Sequence, residues 1–423
     1  MRSFNKILSF FLIAVAISCA TQRNSINSDF AYLYKKETFT LHPKYIVHHT
    51  SNETSDLYFS IDSKELLYNK QLNENDFTAR VELSYLVVLS ADTKVTIDSG
   101  TIRMNDINND NIQKMITGNV KIKLPSGKDY TFSLVLNDIN KKTYSETILD
   151  VDKSTNSSAM NYLLRSKDGN TPLFKNYLQP DEDALIVYRE PVQRLYVKYY
   201  KKDFLLPAPP FSVMDVRPLG FRTDSTLILQ PDENGKVPVK LYRDGIYFLQ
   251  ADTNASEGLT LFRYYKNFPE VALADQLLEP LRYLTSKSEY DDMSNSKNKK
   301  ISVENFWINC AGNKDRAREV IKKFYTRVAD ANQFFSSYLE GWKTDRGMIY
   351  LVYGPANYIY KNNSGETWVY GDPNNLNALQ FNFFKVENVY SENDYTLERS
   401  VIYKSSWYRA VDIWRQGRIY LQN

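Results

Sequence analysis

Apolar and polar residues alternate along much of the first part of the chain. From Phe77 to Leu89, apolar side chains occupy every second position, which is the pattern of a strand with one buried face and one solvated face. The same alternation recurs at residues 57–61, 120–124 and 130–136. Short strands with turn signals between them predict an Ig-like β-sandwich over residues 28–152.

A second group of strand patterns follows a polar break at residues 154–158. These patterns predict a second, smaller β-sandwich over residues 159–258. The proline-rich run at residues 206–210 cannot continue a central strand. We interpret it as a rigid crossover between sheets or as a loop that docks a partner. The predicted strands occupy residues 184–188, 195–200, 227–229, 237–241 and 246–249.

The apolar spacing then becomes helical. Residues 271–284 carry leucines on one helical stripe, and Pro280 predicts a bend in that helix. Residues 314–340 place apolar side chains three and four positions apart, which predicts a long amphipathic helix that ends at Gly341. The polar stretch between these helices, residues 286–300, predicts an exposed loop.

Strand patterns return after the long helix. The mixture of helices and strands over residues 265–423 predicts an α+β domain. The chain as a whole is therefore predicted to be mostly β, with two Ig-like β-sandwiches followed by a C-terminal α+β domain. The strands predicted in this last domain occupy residues 348–353, 367–370, 379–384 and 399–403.

The first residues have the features of a secretion signal. A short cationic start precedes an apolar stretch at residues 7–17, which is too short to span a bilayer as a helix. The stretch ends in Ala-Ile-Ser-Cys, which resembles a bacterial lipobox, where the cysteine receives the lipid. The sequence predicts a lipoprotein signal peptide over residues 1–18, lipidation of Cys19 and a tether over residues 19–27. The alternative is an ordinary cleaved signal with an incidental cysteine.

Acyl chains on Cys19 would anchor the protein to a membrane without spanning it. Lipoproteins that Bacteroidota export to the cell surface often carry an acidic cluster after the cysteine, and residues 20–24 contain no acidic residue. By that resemblance, we predict an outer-membrane lipoprotein that faces the periplasm, with the cell surface as the alternative.

The amino-acid composition limits which kinds of functional site the chain can contain. The 423 residues include two cysteines and three histidines, and these low counts nearly exclude a disulfide framework, a thiolate zinc site and a multi-histidine metal site. A formal charge of +3 gives no reason to expect nucleic acid as a partner. We expect no cofactor and no metal.

The scarce reactive residues do not form a recognisable site. Cys310 lies in an apolar run, so a buried inert thiol is favoured over a nucleophile. His48 and His49 are adjacent on a predicted strand, so they point to opposite faces and cannot chelate one ion together. His42 precedes a proline and lies far from Cys310 in the sequence.

One motif follows the predicted long helix. Residues 341–347 read Gly-Trp-Lys-Thr-Asp-Arg-Gly, and Gly354-Pro355 and a Glu-Thr-Trp segment with Trp368 follow in order. These motifs resemble the signature of the GWxTD domain, over roughly residues 265–423. The resemblance implies an envelope protein in which this domain follows β-sandwich regions, and it implies no established catalytic activity.

We interpret the motif as structural, with a partner-binding surface as the second hypothesis and catalysis as the third. Thr344 and Asp345 are residue types that hydrogen-bond to local backbone. Arg346 can stack on an aromatic ring or pair with a carboxylate, Trp342 can cover the helix end, and Gly347 permits a positive φ. Trp342, Trp368, Trp407 and Trp414 are expected to include core anchors, with a glycan or protein contact as the alternative. The candidate site comprises Gly341, Trp342, Thr344, Asp345, Arg346, Gly347, Gly354, Pro355 and Trp368.

These observations together predict a lipid-anchored outer-membrane protein. It would act as a non-enzymatic binding or scaffolding component of a cell-envelope assembly or secretion complex, with envelope proteins as partners. The alternative is an enzyme that acts on glycan or peptidoglycan with paired carboxylates, which need neither histidine nor metal. Two facing carboxylates in a deep aromatic cleft would favour the enzyme, and an exposed apolar patch without such a cleft would favour the scaffold.

Overall fold

The computed structural model describes residues 29–35, 41–71, 75–201, 206–212, 222–362, 364–375 and 378–420. The predicted signal peptide, the tether and Cys19 lie outside these residues. The described residues form two antiparallel β-sandwiches followed by a domain of helices and one sheet. This architecture confirms the predicted fold class, mostly β with a C-terminal α+β domain.

The first sandwich packs a three-stranded sheet against a four-stranded sheet. Alternate residues of both sheets, such as Leu57, Phe59 and Phe132, are buried in one core, because successive side chains of a strand point to opposite faces. The sheet orders are β1-β2-β5 and β4-β3-β6-β7. The strands are β1 Lys44–His49, β2 Thr54–Asp62, β3 Thr78–Leu89, β4 Asp92–Ile107, β5 Met115–Lys123, β6 Lys128–Asp138 and β7 Thr143–Lys153.

The second sandwich has the sheet orders β11-β10-β13-β14 and β12-β9-β8. Strand β13 is buried on both faces. Tyr247 and Leu249 lie in the core of the sandwich, whereas Ile246 and Phe248 pack with Tyr338 of the C-terminal domain. The strands are β8 Tyr162–Ser166, β9 Asp183–Tyr188, β10 Leu195–Lys201, β11 Ser225–Leu229, β12 Val237–Lys240, β13 Gly245–Gln250 and β14 Leu259–Arg263.

The C-terminal domain packs six α-helices around a sheet with the order β15-β16-β17-β18. Its strands are β15 Tyr358–Asn362, β16 Gly365–Tyr370, β17 Leu379–Lys385 and β18 Tyr395–Leu397. Its helices are α1 Ala274–Leu278, α2 Lys287–Ser294, α3 Lys299–Ala311, α4 Lys314–Phe335, α5 Asp345–Tyr353 and α6 Lys404–Arg415. Short 3-10 turns cover Glu279–Tyr283, Gly341–Lys343 and Val401–Tyr403.

The prediction of a strand at residues 348–353 is wrong, because these residues belong to helix α5. Apolar residues alternate at Ile349, Leu351 and Tyr353, but the residues between them are equally buried. A helix that is buried on all sides has no polar face, so its helical period is not visible in the sequence.

The long helix ends earlier than predicted, and Gly341 is not its stop. Helix α4 ends at Phe335, and Ser336 has extended backbone angles. The Ser336 hydroxyl donates to the carbonyl of Asn332 at 2.6 Å and accepts from the amide of Gly341 at 2.8 Å. The apolar spacing continues through Tyr338 because that side chain packs with the second sandwich.

Two further predictions in this domain are wrong. Residues 286–300 contain helix α2 and the start of α3 rather than a loop, and a capping box of Ser286 with Glu289 begins α2. Residues 399–403 contain no strand, and Val401–Tyr403 form a 3-10 turn before α6. In contrast, the predicted bend at Pro280 is confirmed, since α1 passes there into a 3-10 turn.

Residues 29–35, hereafter the N-terminal segment, pack against the C-terminal domain. The prediction included them in the first sandwich. Ala31 and Tyr34 instead belong to the core of the C-terminal domain, and the amide of Phe30 donates to the carbonyl of Ile359 in β15 at 2.8 Å. The chain therefore returns to its own N-terminal end after more than three hundred residues.

The three histidines have contrasting surroundings. His48 and His49 are buried on β1, and burial lowers the pKa of each to about 4. His42 lies 2.9 Å from the carboxylate of Glu65. Burial alone would lower the pKa of His42, but the hydrogen bond and charge of Glu65 raise it. Acid therefore destabilises the folded protein through His48 and His49, whose pKa values are lowered, and stabilises it through His42, whose pKa is raised.

We expect His48 to destabilise the protein in acid. The unfolded chain binds a proton on this residue below pH 6.5, whereas the folded protein resists protonation until about pH 4, so the free energy of unfolding falls as pH decreases through this window. His48→Gln should remove about 2 kcal/mol of the loss between pH 7 and pH 5. Urea unfolding at both pH values measures this effect.

His42→Gln is the matched control, and its effect has the opposite sign. The raised pKa of His42 stabilises the folded protein at acid pH, and this contribution is lost as pH rises through that pKa. The variant should therefore lose more stability at pH 5 than at pH 7. Equal pH dependence in the wild type and both variants would contradict the assignment.

Candidate functional site

The motif begins with a backbone contact that only glycine permits. A Cβ atom on Gly341 would lie 1.7 Å from the carbonyl oxygen of Ala331 in α4, and one on Gly347 would lie 1.8 Å from the carbonyl oxygen of Gly341. The predicted positive φ of Gly347 is wrong, because this residue lies in the first turn of α5. Both glycines are required for close approach rather than for an unusual φ.

Thr344 joins the 3-10 turn to helix α5. Its hydroxyl donates to the carbonyl of Gly341 at 2.7 Å and accepts from the amide of Gly347 at 3.1 Å. The second contact is an N-cap, which satisfies one of the free amides in the first helical turn. The predicted hydrogen bonding of Thr344 to local backbone is thus observed.

Asp345 contacts distant parts of the chain instead of the local backbone that was predicted. One carboxylate oxygen accepts from the amide of Leu397 at 2.7 Å, and the other accepts from Nη2 of Arg399 at 2.5 Å. The same Nη2 donates to the carbonyl of Ala208 at 3.2 Å. Asp345 therefore connects α5 to β18 and, through Arg399, to the proline-rich run.

Arg346 is buried and makes both of the contacts that were predicted as alternatives. Its guanidinium lies 3.7 Å from the centroid of the Tyr395 ring, and Nη1 donates to Oε1 of Glu366 at 3.1 Å. Nη2 donates to the backbone carbonyl of Asn393 at 3.1 Å and to its side-chain oxygen. Both terminal guanidinium nitrogens are engaged by the protein.

Glu366 is the centre of this network. Its carboxylate accepts from the hydroxyl of Tyr34 at 2.8 Å, from the indole of Trp368 at 2.9 Å and from Nζ of Lys361 at 3.0 Å. Burial alone would raise the pKa of Glu366, but the charges of Arg346 and Lys361 lower it to about 2. The carboxylate is therefore ionised within the core at neutral pH.

Gly354 and Pro355, which follow the motif in the sequence, lie at the C-terminal end of helix α5. Gly354 has a φ of 86°, and a Cβ there would lie 2.6 Å from the guanidinium of Arg327. Nη1 of Arg327 donates to the carbonyls of Leu351 and Val352 at 3.1 and 3.3 Å. Arg327 therefore satisfies the last helical carbonyls, and Pro355 follows where the helix cannot continue.

The tryptophans serve as core anchors. Trp342, Trp368, Trp407 and Trp414 are between 0 and 4% exposed, so none of these four rings presents a face to solvent. The hydroxyl of Tyr283 donates to the carbonyl of Trp342 at 3.1 Å. The geometry supports the core interpretation of this set over a glycan contact.

The motif also lines a cleft of about 750 Å³ between the second sandwich and the C-terminal domain. Nζ of Lys343 lies 2.9 Å from Glu279 and 3.3 Å from Glu340. Burial alone would lower the pKa of Lys343, but these carboxylates raise it, so the ammonium stays charged and offsets one of the two negative charges. The sandwich contributes four further charged lining residues, Lys201, Asp224, Arg243 and Asp244, and helix α1 contributes Asp275.

The candidate site predicted from the sequence did not include several residues that the motif contacts, among them Tyr34, Arg327, Glu366 and Arg399, although Glu366 belongs to the Glu-Thr-Trp segment that carries the resemblance. Two of them carried a signal. Arg327 is a charge on the apolar stripe of α4, and Glu366 is the one charged residue of β16. Tyr34 and Arg399 carried none, because only the folded chain brings them to the motif.

The described residues contain no group of three or more His, Cys, Asp or Glu that could hold a metal ion. Cys310 is half-buried, and burial raises the pKa of its thiol, so the thiolate needed for nucleophilic attack is disfavoured. None of the helices in the described ranges combines the length and the apolar character of a membrane-spanning helix.

Residues 245–416 match the sequence model of the GWxTD domain, so the C-terminal part of the chain carries this domain. The match begins at β13, the strand that is buried between the second sandwich and the C-terminal domain. No curated protein matches the chain significantly.

Several solved structures show a partial similarity. A putative β-galactosidase from Bacteroides fragilis is 13% identical, with a TM-score of 0.18, over 32% of this chain and 19% of that protein. Red sea bream transglutaminase is 11% identical, with a TM-score of 0.19, over 55% of this chain and 32% of that protein. The BSP domain of a biofilm-associated protein is 10% identical, with a TM-score of 0.18, over 56% of this chain and 54% of that protein.

The glycine contacts predict a severe loss of stability for Gly341→Ala. Its Cβ would meet backbone of α4, which cannot move without displacing the helix, so we expect a loss above about 4 kcal/mol. Gly235→Ala is the matched control, since its Cβ meets nothing within 4 Å and only its φ of 73° is unfavourable, at about 1–2 kcal/mol. Chemical denaturation of both variants measures the difference, and equal losses would contradict the close-approach role.

The ion pair of Asp345 predicts a larger loss than that of an ordinary helix cap. Asp345→Ala leaves the largely buried Arg399 guanidinium without its carboxylate, which should cost about 3–5 kcal/mol. Asp315→Ala, which removes an exposed pair with Arg318, should change stability by less than about 0.5 kcal/mol. If Asp345→Ala unfolded at the wild-type denaturant concentration but lost a partner, the residue would be functional rather than structural.

Proposed function

We propose that this protein, whose residues 245–416 form a GWxTD domain, is an outer-membrane lipoprotein anchored through Cys19. It acts as a non-enzymatic binding or scaffolding component of a cell-envelope assembly or secretion complex. Its domains face the periplasm, and its partners are other envelope proteins.

This proposal rests on the buried ion pairs that the charged side chains of the motif form within the protein. Asp345 and Arg346 are both committed to ion pairs within the protein, and these pairs connect α5 to segments far away in the sequence. A group that holds segments together at low exposure is suited to a rigid scaffold, whereas a catalytic group must reach a substrate. The motif therefore supports assembly rather than chemistry.

An apolar patch beside the proline-rich run offers a surface for a partner. Val401 and Ile402 are 66 and 73% exposed, and Tyr408 is 50% exposed. The amide of Ser400 donates to the carbonyl of Pro210 at 3.0 Å, and the ring of Phe211 lies 5.4 Å from that of Tyr408. Exposed apolar side chains grouped in this way are typical of protein-binding sites.

The enzyme alternative rests on the cleft. Glu279 and Glu340 both form ion pairs with the ammonium of Lys343, and Trp342 lines the same cleft. Two carboxylates therefore do occur together near an aromatic residue. However, both carboxylates are ion-paired with Lys343, and Trp342 is 2% exposed, so its ring cannot stack on a sugar. The cleft therefore favours the scaffold over a glycosidase.

Crosslinking in intact envelopes, followed by affinity purification, tests the proposal. Ile402→Glu should reduce recovery of the crosslinked partner by at least about tenfold, because it places a charge at the centre of the patch. Ile148→Glu is the matched control, since Ile148 is 59% exposed on the first sandwich and should bind as the wild type does. Cys19→Ala should abolish labelling of the protein with fatty acid and leave its folded domains intact.

Three results would contradict the proposal. The first is equal recovery from both glutamate variants. The second is continued fatty-acid labelling and membrane association of Cys19→Ala. The third is release of soluble fragments from peptidoglycan by the purified protein, abolished by Glu279→Gln, which would establish the enzyme instead.

A further inference from the structure

We propose that the GWxTD domain binds the N-terminal segment of its own chain as a ligand and thereby holds itself next to the membrane anchor. This inference rests on the proposed lipidation of Cys19. The segment is not a strand of either sandwich. It occupies a site on the C-terminal domain that the motif helps to build.

Tyr34 is the main contact of the segment. Its hydroxyl donates to Glu366 at 2.8 Å, and its ring lies 4.9 Å from that of Phe335 and 5.7 Å from that of Trp368. The hydroxyl of Tyr350 donates to the carbonyl of Tyr34 at 3.2 Å. Tyr34 is 7% exposed, as expected for an aromatic anchor in a pocket.

The other end of the segment is held by the edge of the sheet. The amide of Phe30 donates to the carbonyl of Ile359 at 2.8 Å, and Oδ1 of Asp29 accepts from the amide of Ile359 at 2.9 Å. Strand β15 is an edge strand of its sheet, so these bonds satisfy backbone groups that the sheet leaves unpaired. The segment is therefore fixed at two points.

Arg346 of the motif determines the charge of Glu366, the residue that binds the Tyr34 hydroxyl. Arg346 keeps Glu366 ionised within the core, and a charged acceptor strengthens the hydrogen bond from the Tyr34 hydroxyl. Removing Tyr34 would leave this carboxylate with one donor fewer and would open a cavity beside Trp368. The pocket is thus selective for a tyrosine at this position.

The segment also contacts the first sandwich. The hydroxyl of Tyr32 donates to the carbonyl of Glu146 in β7 at 2.9 Å. The segment therefore lies between the first sandwich and the C-terminal domain.

Docking of the segment determines which domain lies near the bilayer. Asp29 follows Cys19 by ten residues, which span at most about 33–36 Å when fully extended. A lipid on Cys19 would therefore keep the segment, and the C-terminal domain bound to it, within this distance of the membrane. In a linear arrangement of domains, the C-terminal domain would be the farthest from the anchor.

Cleavage between the segment and the rest of the protein tests the proposal. A protease recognition sequence inserted within residues 36–40 allows residues 41–423 to separate after cutting, unless the docked segment retains them. In one arm, mature protein from residue 20 is held on resin by an N-terminal affinity tag. In the other arm, the lipidated protein is reconstituted into vesicles of phosphatidylethanolamine and phosphatidylglycerol.

We expect the cut wild-type protein to stay bound in both arms. Tyr34→Ala should release residues 41–423 at least about tenfold faster, the effect of losing an interface anchor. Tyr34→Phe, which leaves the buried Glu366 carboxylate short of a donor, should also speed the release. Tyr242→Phe is the matched control, because it removes one hydroxyl from a side chain that is 74% exposed and lies outside the segment and its contacts, so its release should match that of the wild type.

The two arms separate the possible failures. Release from the resin at the same rate for the wild type and Tyr34→Ala would overturn docking of the segment. If uncut protein failed to float with the vesicles, the lipid anchor of the proposed function would be wrong, and the placement at the membrane would fail with it. If cut protein remained on the resin but left the vesicles as fast as Tyr34→Ala does, the membrane placement alone would be overturned.

Discussion

The buried ion pair between Arg346 and Glu366 is the interaction on which the C-terminal domain depends. Removing two charges from water costs several kcal/mol for each ion, and this cost is offset only when the remaining donors and acceptors are also satisfied. The carboxylate of Glu366 also accepts hydrogen bonds from Tyr34, Trp368 and Lys361. The guanidinium of Arg346 contacts Asn393 and Tyr395. The pair therefore requires the sheet, the N-terminal segment and the loop before β18 to be in place together.

Helix α5 places this pair and is itself held at both ends by side chains. Thr344 satisfies its first turn, and Arg327 satisfies its last carbonyls. The two glycines at 341 and 347 allow the turn before the helix to touch backbone directly. A helix of nine residues has little stability of its own, so its position is determined by these caps and by the core that surrounds it on all sides.

Sequence patterns predicted the sandwiches well because their strands have one buried face and one solvent-exposed face. The alternation from Phe77 to Leu89 corresponds to β3, which starts one residue later. The same reasoning failed for α5, where burial on every side removes the polar half of any pattern. It also failed for α2, whose polar composition concealed a helix that the capping box of Ser286 and Glu289 could have revealed.

For the candidate site, the sequence identified the motif but not its partners. Local chemistry identified Arg346 as a stacking and pairing residue, yet Tyr34 lies 312 positions before it. No periodicity connects residues that are so far apart. The assignment of Asp345 to a local turn failed for the same reason, because its partner Arg399 is 54 positions away. Residue types predicted the kind of contact, and only the fold determined the partner.

Asp345 and Arg346 are neighbours in the first turn of α5, but their side chains serve different connections. Through Arg399, Asp345 reaches the proline-rich run that leaves the second sandwich. Through Glu366, Arg346 reaches the N-terminal segment, which also touches the first sandwich. Adjacent residues of a helix project about 100° apart, so one helical turn can face two different segments. Through these two side chains, the motif is linked to segments that contact the first sandwich on one side and belong to the second sandwich on the other.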